Sequence, residues 1–379
     1  MEGGMATGGA LCNWLIAKRP RREADLPLSD DEVDWMATVR SASEDFALSA
    51  LATLLKDAGL LDHAPADVQR FLHYAISQNT QANDRIRQQC IEIGKALSRV
   101  GLSCVLLKGA AWLFEDGPAA QDRMLRDIDL LMPRAALEDA RTALHALGYE
   151  PSSTILAEAG HIHDVPLEHP DRLVCVEMHV ELTTRVRYLS ADEVFAEARQ
   201  VAPGLCVPAP LHRVMHNVVH AQIVNGDFVS GALSFRDSLD LGRLTEKTVA
   251  AEHWYALAHD ARQRGFFRQL SGALHKAAYV SGVVLPEPFR SDAGGRRHLR
   301  RCLLQRRWPT FDMGIRKLGV FHRATAWERD AYALQLGSDR SLRAHFLVNR
   351  RRLARIRAAL NRSIRSAPAS RGFRESLAP

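Results

Sequence analysis

No stretch of the 379-residue chain holds the roughly 18 consecutive apolar residues that a membrane-spanning helix requires. A secretory signal pattern is lacking as well. Leu11 to Ile16 is a short apolar run, and the basic cluster Lys18-Arg19-Pro20-Arg21-Arg22 follows it instead of preceding it. The six cysteines (Cys12, Cys90, Cys104, Cys175, Cys206 and Cys302) are scattered, with no C-x-x-C pair and no zinc-ligand spacing. Most sit in apolar contexts, where a free thiol behaves as a small hydrophobe, and this points to a reducing, cytoplasmic setting. Internal repeats and recognised RNA-binding modules are absent too. What remains is a globular composition, 46% apolar and 25% charged, long enough for two or three domains. The net charge of +6 is unevenly placed, with arginine concentrated in Arg350 to Arg365.

Helical periodicity dominates both ends. Ser29 to Glu32 (SDDE) reads as a helix start, and the pattern continues to about Val100, broken near Gly59 and Pro65. Phe71, Leu72, Ala75 and Ile76 form one apolar stripe; Ile91, Ile93, Leu97 and Val100 form another, closed by Gly101. Ala135 to Leu147 reads as a helix capped by Gly148. Beyond Pro208 and Pro210 helices return, over Glu252–Gly265, Phe267–Ser281, Ala324–Gln335 and Leu342–Ile364. The last of these carries a basic face, read either as a solvated face or as a contact for RNA, an acidic peptide or a membrane surface. Aromatic residues for base stacking are sparse there.

Chemistry concentrates in Val105 to Leu131, VLLKGAAWLFEDGPAAQDRMLRDIDLL. A buried strand, a glycine break, a helix and a second strand give this order. Alternate strand side chains share a face, so Asp127 and Asp129 project together while Ile128 and Leu130 enter the core. Adjacent carboxylates repel unless a positive charge lies between them, and a divalent cation that takes oxygen ligands, Mg2+, meets that need. Downstream, Arg172 to Leu182 alternates cleanly. Val174, Val176, Met178 and Val180 share one face; Cys175, Glu177, His179 and Glu181 share the other. That second face can complete an acidic site begun by Asp127 and Asp129. His212, His216 and His220 recur every fourth residue on one helix face, without a Cys or Glu to complete a zinc set. They are expected to line an acceptor or nucleotide pocket. His161 and His163 read as structural, and Arg236-Asp237 as an ion pair between helices.

Taken together, Leu106-Leu107-Lys108-Gly109, Arg123 ahead of Asp127-Ile128-Asp129-Leu130-Leu131, Gly148-Tyr149, and Glu177-Met178-His179 resemble the DNA polymerase beta-like nucleotidyltransferase superfamily. Within it they are similar to a poorly characterised nucleotidyltransferase family often found with lasso-peptide and other natural-product biosynthesis. The resemblance covers roughly residues 70 to 245. It implies an α+β fold, a small mixed β-sheet nucleotidyltransferase core flanked by helical N-terminal and C-terminal regions. The boundaries expected are a disordered 1–28, N-terminal helices over 29–100, the catalytic core over 101–205, a helical C-terminal domain over 206–365 and a disordered tail over 366–379.

It further implies transfer of a nucleoside monophosphate from an NTP to a hydroxyl of a small molecule or peptide, with two Mg2+ ions. Asp127, Asp129 and Glu177 would be the catalytic and metal-binding carboxylates. Lys108, Gly109, Ala110, Arg123 and His179 would serve nucleotide binding or balance the acidic cluster, with backbone amides at Gly109-Ala110 meeting phosphate. His179 is also read as a packed histidine that hydrogen-bonds the acids. Where the wider superfamily has Gly-Ser or Gly-Gly, Ala110 follows Gly109; its third acid is often Asp, and here it is Glu177. Two alternatives stand beside this reading: transfer to an RNA end, as in tRNA-modifying toxins, using the basic C-terminal helix; and a catalytically idle nucleotide-binding protein.

Overall fold

The computed structural model describes residues 35–57, 59–115, 119–152, 165–183, 186–247 and 250–307. His161, His163, the Arg350–Arg365 region, the helices expected after Ala324 and the proposed disordered ends lie outside these residues. The described residues fall into two compact units. The larger comprises those up to Ile223 together with Leu233–Leu299; the second comprises Val224–Ala232 and those from Arg300 onward.

The larger unit opens with α1 (Trp35–Glu44), α2 (Leu48–Asp57) and the long α3 (Ala66–Arg99). Pro65 sits at the N-cap of α3, where a missing N–H costs nothing. The 34 residues of α3 span about 51 Å at 1.5 Å per residue. Ile86, Cys90, Ile93 and Leu97 recur at helical spacing and are buried. Phe71, expected in the apolar stripe, is 47% exposed; its neighbour Leu72, one residue round the helix, is fully buried. The helix ends where Gly101 takes the left-handed conformation (φ +75°) and the Leu102 amide donates to the Leu97 carbonyl at 2.9 Å.

Seven strands follow in one mixed sheet, as the α+β reading expects. They are β1 (Cys104–Leu106), β2 (Asp127–Leu131), β3 (Glu150–Pro151), β4 (Leu167–Glu168), β5 (Cys175–His179), β6 (Arg199–Ala202) and β7 (Leu205–Val207). Their spatial order is β3-β4-β5-β2-β1-β7-β6. β1 is antiparallel to β2 and parallel to β7, and β2 is parallel to β5. The described β5 is shorter than the run 172–182 expected from alternation. Short helices α4 (Lys108–Trp112), α5 (Ala119–Asp122), α6 (Leu137–His145) and α7 (Ala191–Ala196) join the strands. The helices α8 (Pro210–Val218), α9 (Asp227–Ser230), α10 (Phe235–Lys247), α11 (Ala251–Gln263), α12 (Phe267–Ser281) and α13 (Ala293–Arg307) follow. No helix among the described residues is long and apolar enough to cross a membrane.

Strand parity separates two cores. Leu106, Ile128, Leu130, Val176 and Met178 pack with Ile86, Cys90, Ile93 and Leu97 of α3 and with α6. Val105, Leu107 and Leu131 pack instead with α8, α10, α11 and α12. Asp127, Asp129, Glu177 and His179 share the parity of Leu131, so the acidic residues face the helical layer and not α3. A third cluster joins α1 and α2 to Phe235, Leu239 and Val280. In the smaller unit, the Gln305 side-chain amide donates to the Ser230 carbonyl at 2.7 Å, and Arg301 to that of Phe228.

Helix α3 meets the β6–β7 turn through a glycine. A Cβ on Gly94 would lie 2.4 Å from Leu205 Cγ and 2.6 Å from the Pro203 carbonyl oxygen, closer than atoms pack. Gly94→Ala is therefore expected to destabilise the fold by about 1–3 kcal/mol, read as a lower midpoint in urea or heat.

Candidate active site

The site is built on the pairing of β2 with β5. Their parallel register sets Asp127 opposite Cys175, Asp129 opposite Glu177, and Leu131 opposite His179. Two strands far apart in sequence thus bring Asp129 and Glu177 side by side on the face turned to the helical layer. Ligand atoms of Asp129, Glu177 and His179 lie within 4.8 Å of one another. Asp127 falls outside that group, one pleat further along the strand.

Asp129 is nearly inaccessible, with 2% of its surface exposed. Its Oδ1 accepts from Lys108 Nζ at 2.8 Å and pairs with His179 Nε2 at 2.7 Å. Burial alone would raise its pKa. The His179 hydrogen bond and the Lys108 charge override burial and hold the carboxyl well below the usual range. Asp127 shifts the other way: burial and the Asp129 charge raise it, against Lys108, Arg126 and Arg123. Such a pair titrates as a unit. Glu177 Oε2 lies 3.8 Å from His179 Nε2.

Lys108 reaches Asp129 through an unusual backbone. The Leu107 amide continues the β1–β2 ladder by donating to the Asp129 carbonyl at 2.9 Å, and the chain then turns sharply. Lys108 itself takes φ +44°, a conformation that costs a non-glycine residue about 1 kcal/mol or more. The left-handed position is thus Lys108, not Gly109. Gly109 is small for a packing reason: a Cβ there would sit 3.0 Å from Leu125 Cγ. The Ala110 amide donates to the Leu107 carbonyl at 3.1 Å. Arg123 is partly buried, and its Nε donates to Asp240 Oδ2 at 2.8 Å. The loop that carries Arg123 is fastened to α3, where Asn83 Nδ2 donates to the carbonyls of Ala120 (2.9 Å) and Arg123 (3.0 Å). It is fastened to α10 by Arg243, which grips Asp122 with two bonds of 2.9 and 2.6 Å.

Beside this cluster lies an open cleft of about 590 Å3 with Lys108 in its wall. His216, Asn217 and His220 line it from α8 and the π-helical turn Val219–Val224 that follows. Arg236, Asp237 and Asp240 line it from α10. His212, the first member of the histidine series, is not in the cleft and lies 3.9 Å from Glu197. Arg236 pairs with its neighbour Asp237 at 3.3 Å within one helix, not between helices as expected, and both line the cleft. Asp237, Asp240, Arg213 and Trp112 went unnoticed as cleft residues in the sequence. The spacing of Asp237 and Asp240, three apart on one helix face, was the available signal.

A family model described as an uncharacterised nucleotidyltransferase matches residues 31–282. No curated protein and no solved structure matches the chain.

Two expectations follow from these contacts. Arg243→Ala leaves the buried Asp122 carboxylate without its partner, and a loss of about 3–5 kcal/mol in stability is expected by urea denaturation. The second concerns the histidines. Burial, then His220 and Lys108, hold His216 well below 6.5; burial and Lys108 bring His220 down to about 4. Between these values the unfolded chain binds protons that the folded chain does not. Stability is therefore expected to be full above about pH 6.5 and to fall as pH drops toward about 4. Melting temperatures of wild type and His220→Gln across that window check this, the variant having the shallower slope.

Proposed function

Because the chain belongs to that nucleotidyltransferase family, we propose that it transfers a nucleoside monophosphate from an NTP to a hydroxyl, by Mg2+-assisted chemistry at Asp127, Asp129 and Glu177. The observation that carries this is the register that sets Asp129 opposite Glu177, with Asp127 on the same face of β2. Oδ1 of Asp129 is engaged by Lys108 and His179. Its second oxygen and the Glu177 carboxylate are hard oxygen donors of the kind Mg2+ prefers, and Asp127, outside the group within ligand range but on the same strand face, would have to turn toward them to add a third. When bound, the metal supplies neutralisation of charge on the phosphates and the leaving pyrophosphate.

The chain's own groups supply the rest. The acceptor oxygen forms a bond to the α-phosphorus as the bond from that phosphorus to the β-phosphate bridging oxygen breaks, and pyrophosphate leaves. Glu177 would take the hydroxyl proton. Lys108, already beside Asp129, would follow the negative charge onto the phosphates, and His179 holds Asp129 ionised and oriented. The Ala110 amide is committed to Leu107, which leaves the Gly109 amide and the side chains for phosphate contact. The acceptor is read as a small molecule or peptide; the association with natural-product biosynthesis rests on the sequence resemblance, and the genomic neighbours would test it.

Incubation with α-labelled NTPs and Mg2+ is expected to yield labelled acceptor and pyrophosphate. Asp129→Asn and Glu177→Gln should each lower the rate by about 100-fold or more while the fold persists. Activity that survives the double change Asp127→Ala/Asp129→Ala would refute the site. Mg2+ alone should raise the melting temperature of the wild type, reversibly with a chelator, and leave Asp129→Asn unmoved.

A further inference from the structure

The cleft beside Asp129 has a chemistry of its own. Apart from Lys108, which the transfer reading turns to the phosphates, its cations are already matched by carboxylates: Arg123 by Asp240 at 2.8 Å, Arg236 by Asp237 at 3.3 Å, and Arg213 by Glu115. Two of those carboxylates, Asp237 and Asp240, stand in the wall itself and would repel a polyanion. Trp112, the aromatic ring of the wall, is buried and already carries the Arg213 guanidinium 4.0 Å from its centroid. It offers little face for stacking a base.

The polar atoms left over point to a different ligand. Among the described residues, the wall holds one buried acceptor without a hydrogen-bond partner, Asp240 Oδ1, and one buried donor without a partner, Arg213 Nη2. Both residues are more than nine-tenths buried, at 6% and 7% exposure. Unpaired buried groups of this kind are costly and call for a partner; neither atom reaches the surface as the wall stands, so a ligand meets them only with a small shift of the neighbouring side chains. His216 and His220 add neutral imidazoles, each with one donor and one acceptor nitrogen. Asn217 spends its Nδ2 on the Asp237 carbonyl at 3.2 Å and retains its side-chain oxygen. Donors and acceptors are thus interleaved along the wall. A hydroxyl donates and accepts at once, and neighbouring hydroxyls on one carbon skeleton satisfy such an interleaved wall best.

We propose that this cleft is the acceptor subsite of the transfer reaction and that the acceptor is a polyhydroxylated molecule, held by vicinal hydroxyls between His220, Asn217, Arg213 and Asp240. The assignment rests on the nucleotidyl-transfer reading of the adjoining carboxylates. It narrows the acceptor from any hydroxyl compound to the sugar and cyclitol class. The bound hydroxyls would lie next to the carboxylates where the phosphorus is attacked, since Lys108 borders both the cleft and Asp129.

Saturation-transfer NMR on the full chain tests this, with myo-inositol and D-ribose as probes. Saturable binding in the millimolar range is expected for at least one of them, with 2-deoxy-D-ribose weaker than D-ribose by about ten-fold. His220→Gln should weaken the binding about five-fold or more, whereas Asp127→Asn, which touches the proposed metal and not the acceptor and is expected to lower transfer, should leave it intact. That last variant separates failure of this proposal from failure of the catalytic reading. Absence of saturable binding by both probes, or no effect of His220→Gln, overturns the polyol assignment. Displacement of the probe by pyrophosphate would make the cleft an anion site instead. Displacement by a non-hydrolysable ATP analogue with Mg2+ would assign the hydroxyls to the nucleotide's own ribose, and likewise overturn the acceptor role.

Discussion

A buried carboxylate is the constraint on which the rest depends. Asp129 sits at the centre of the sheet, almost without solvent, and a charge there survives only if it is paired. The chain supplies two partners, from different directions. Lys108 comes over the end of β1, at the cost of a left-handed backbone, and His179 comes from the end of β5. The pairing of three strands, β1, β2 and β5, is therefore also the assembly of one charge network. A shift of register by one residue would turn Asp129 toward the apolar face of α3, which the hydrophobic contacts of Ile128 and Leu130 forbid.

That arrangement holds Asp129 and Asp127 apart in behaviour although they share a strand face. Lys108 and His179 keep Asp129 ionised, while Asp127 carries the consequence of that fixed charge and is raised. Under the proposed chemistry a cation near the pair would relieve that repulsion. The same lysine borders the cleft, so the acidic cluster and the cleft share one charged group.

The helical layer does more than cover the sheet. Ion pairs bind it to the loop carrying Arg123: Arg123 to Asp240 and Arg243 to Asp122, both reaching more than a hundred residues along the chain. Asn83 fastens the same loop from the opposite side. These contacts are individually costly to desolvate, and they gain by being multiple and bidentate. They hold open a polar cleft where close packing of apolar side chains would otherwise fill the space.

The sequence by itself determined the elements and their faces. Strand alternation in 127–131 and 174–180 showed which side chains share the acidic face, because a period of two is local and leaves no choice. Gly101 and Pro65 marked the ends of α3 through backbone sterics alone. The histidine series was legible as one helix face, and two of its three members line the cleft. Tertiary structure decided everything that depends on distance between segments. It made Lys108 the counter-ion of Asp129, turned Arg123 to Asp240, and gave Gly109 its smallness through Leu125 and not through φ. It also brought His179 into the group within ligand range and left Asp127 outside it. Local pattern fixes direction along one segment; it carries no information on which ionic partner, 21 or 117 residues away, will be nearest once the strands have paired.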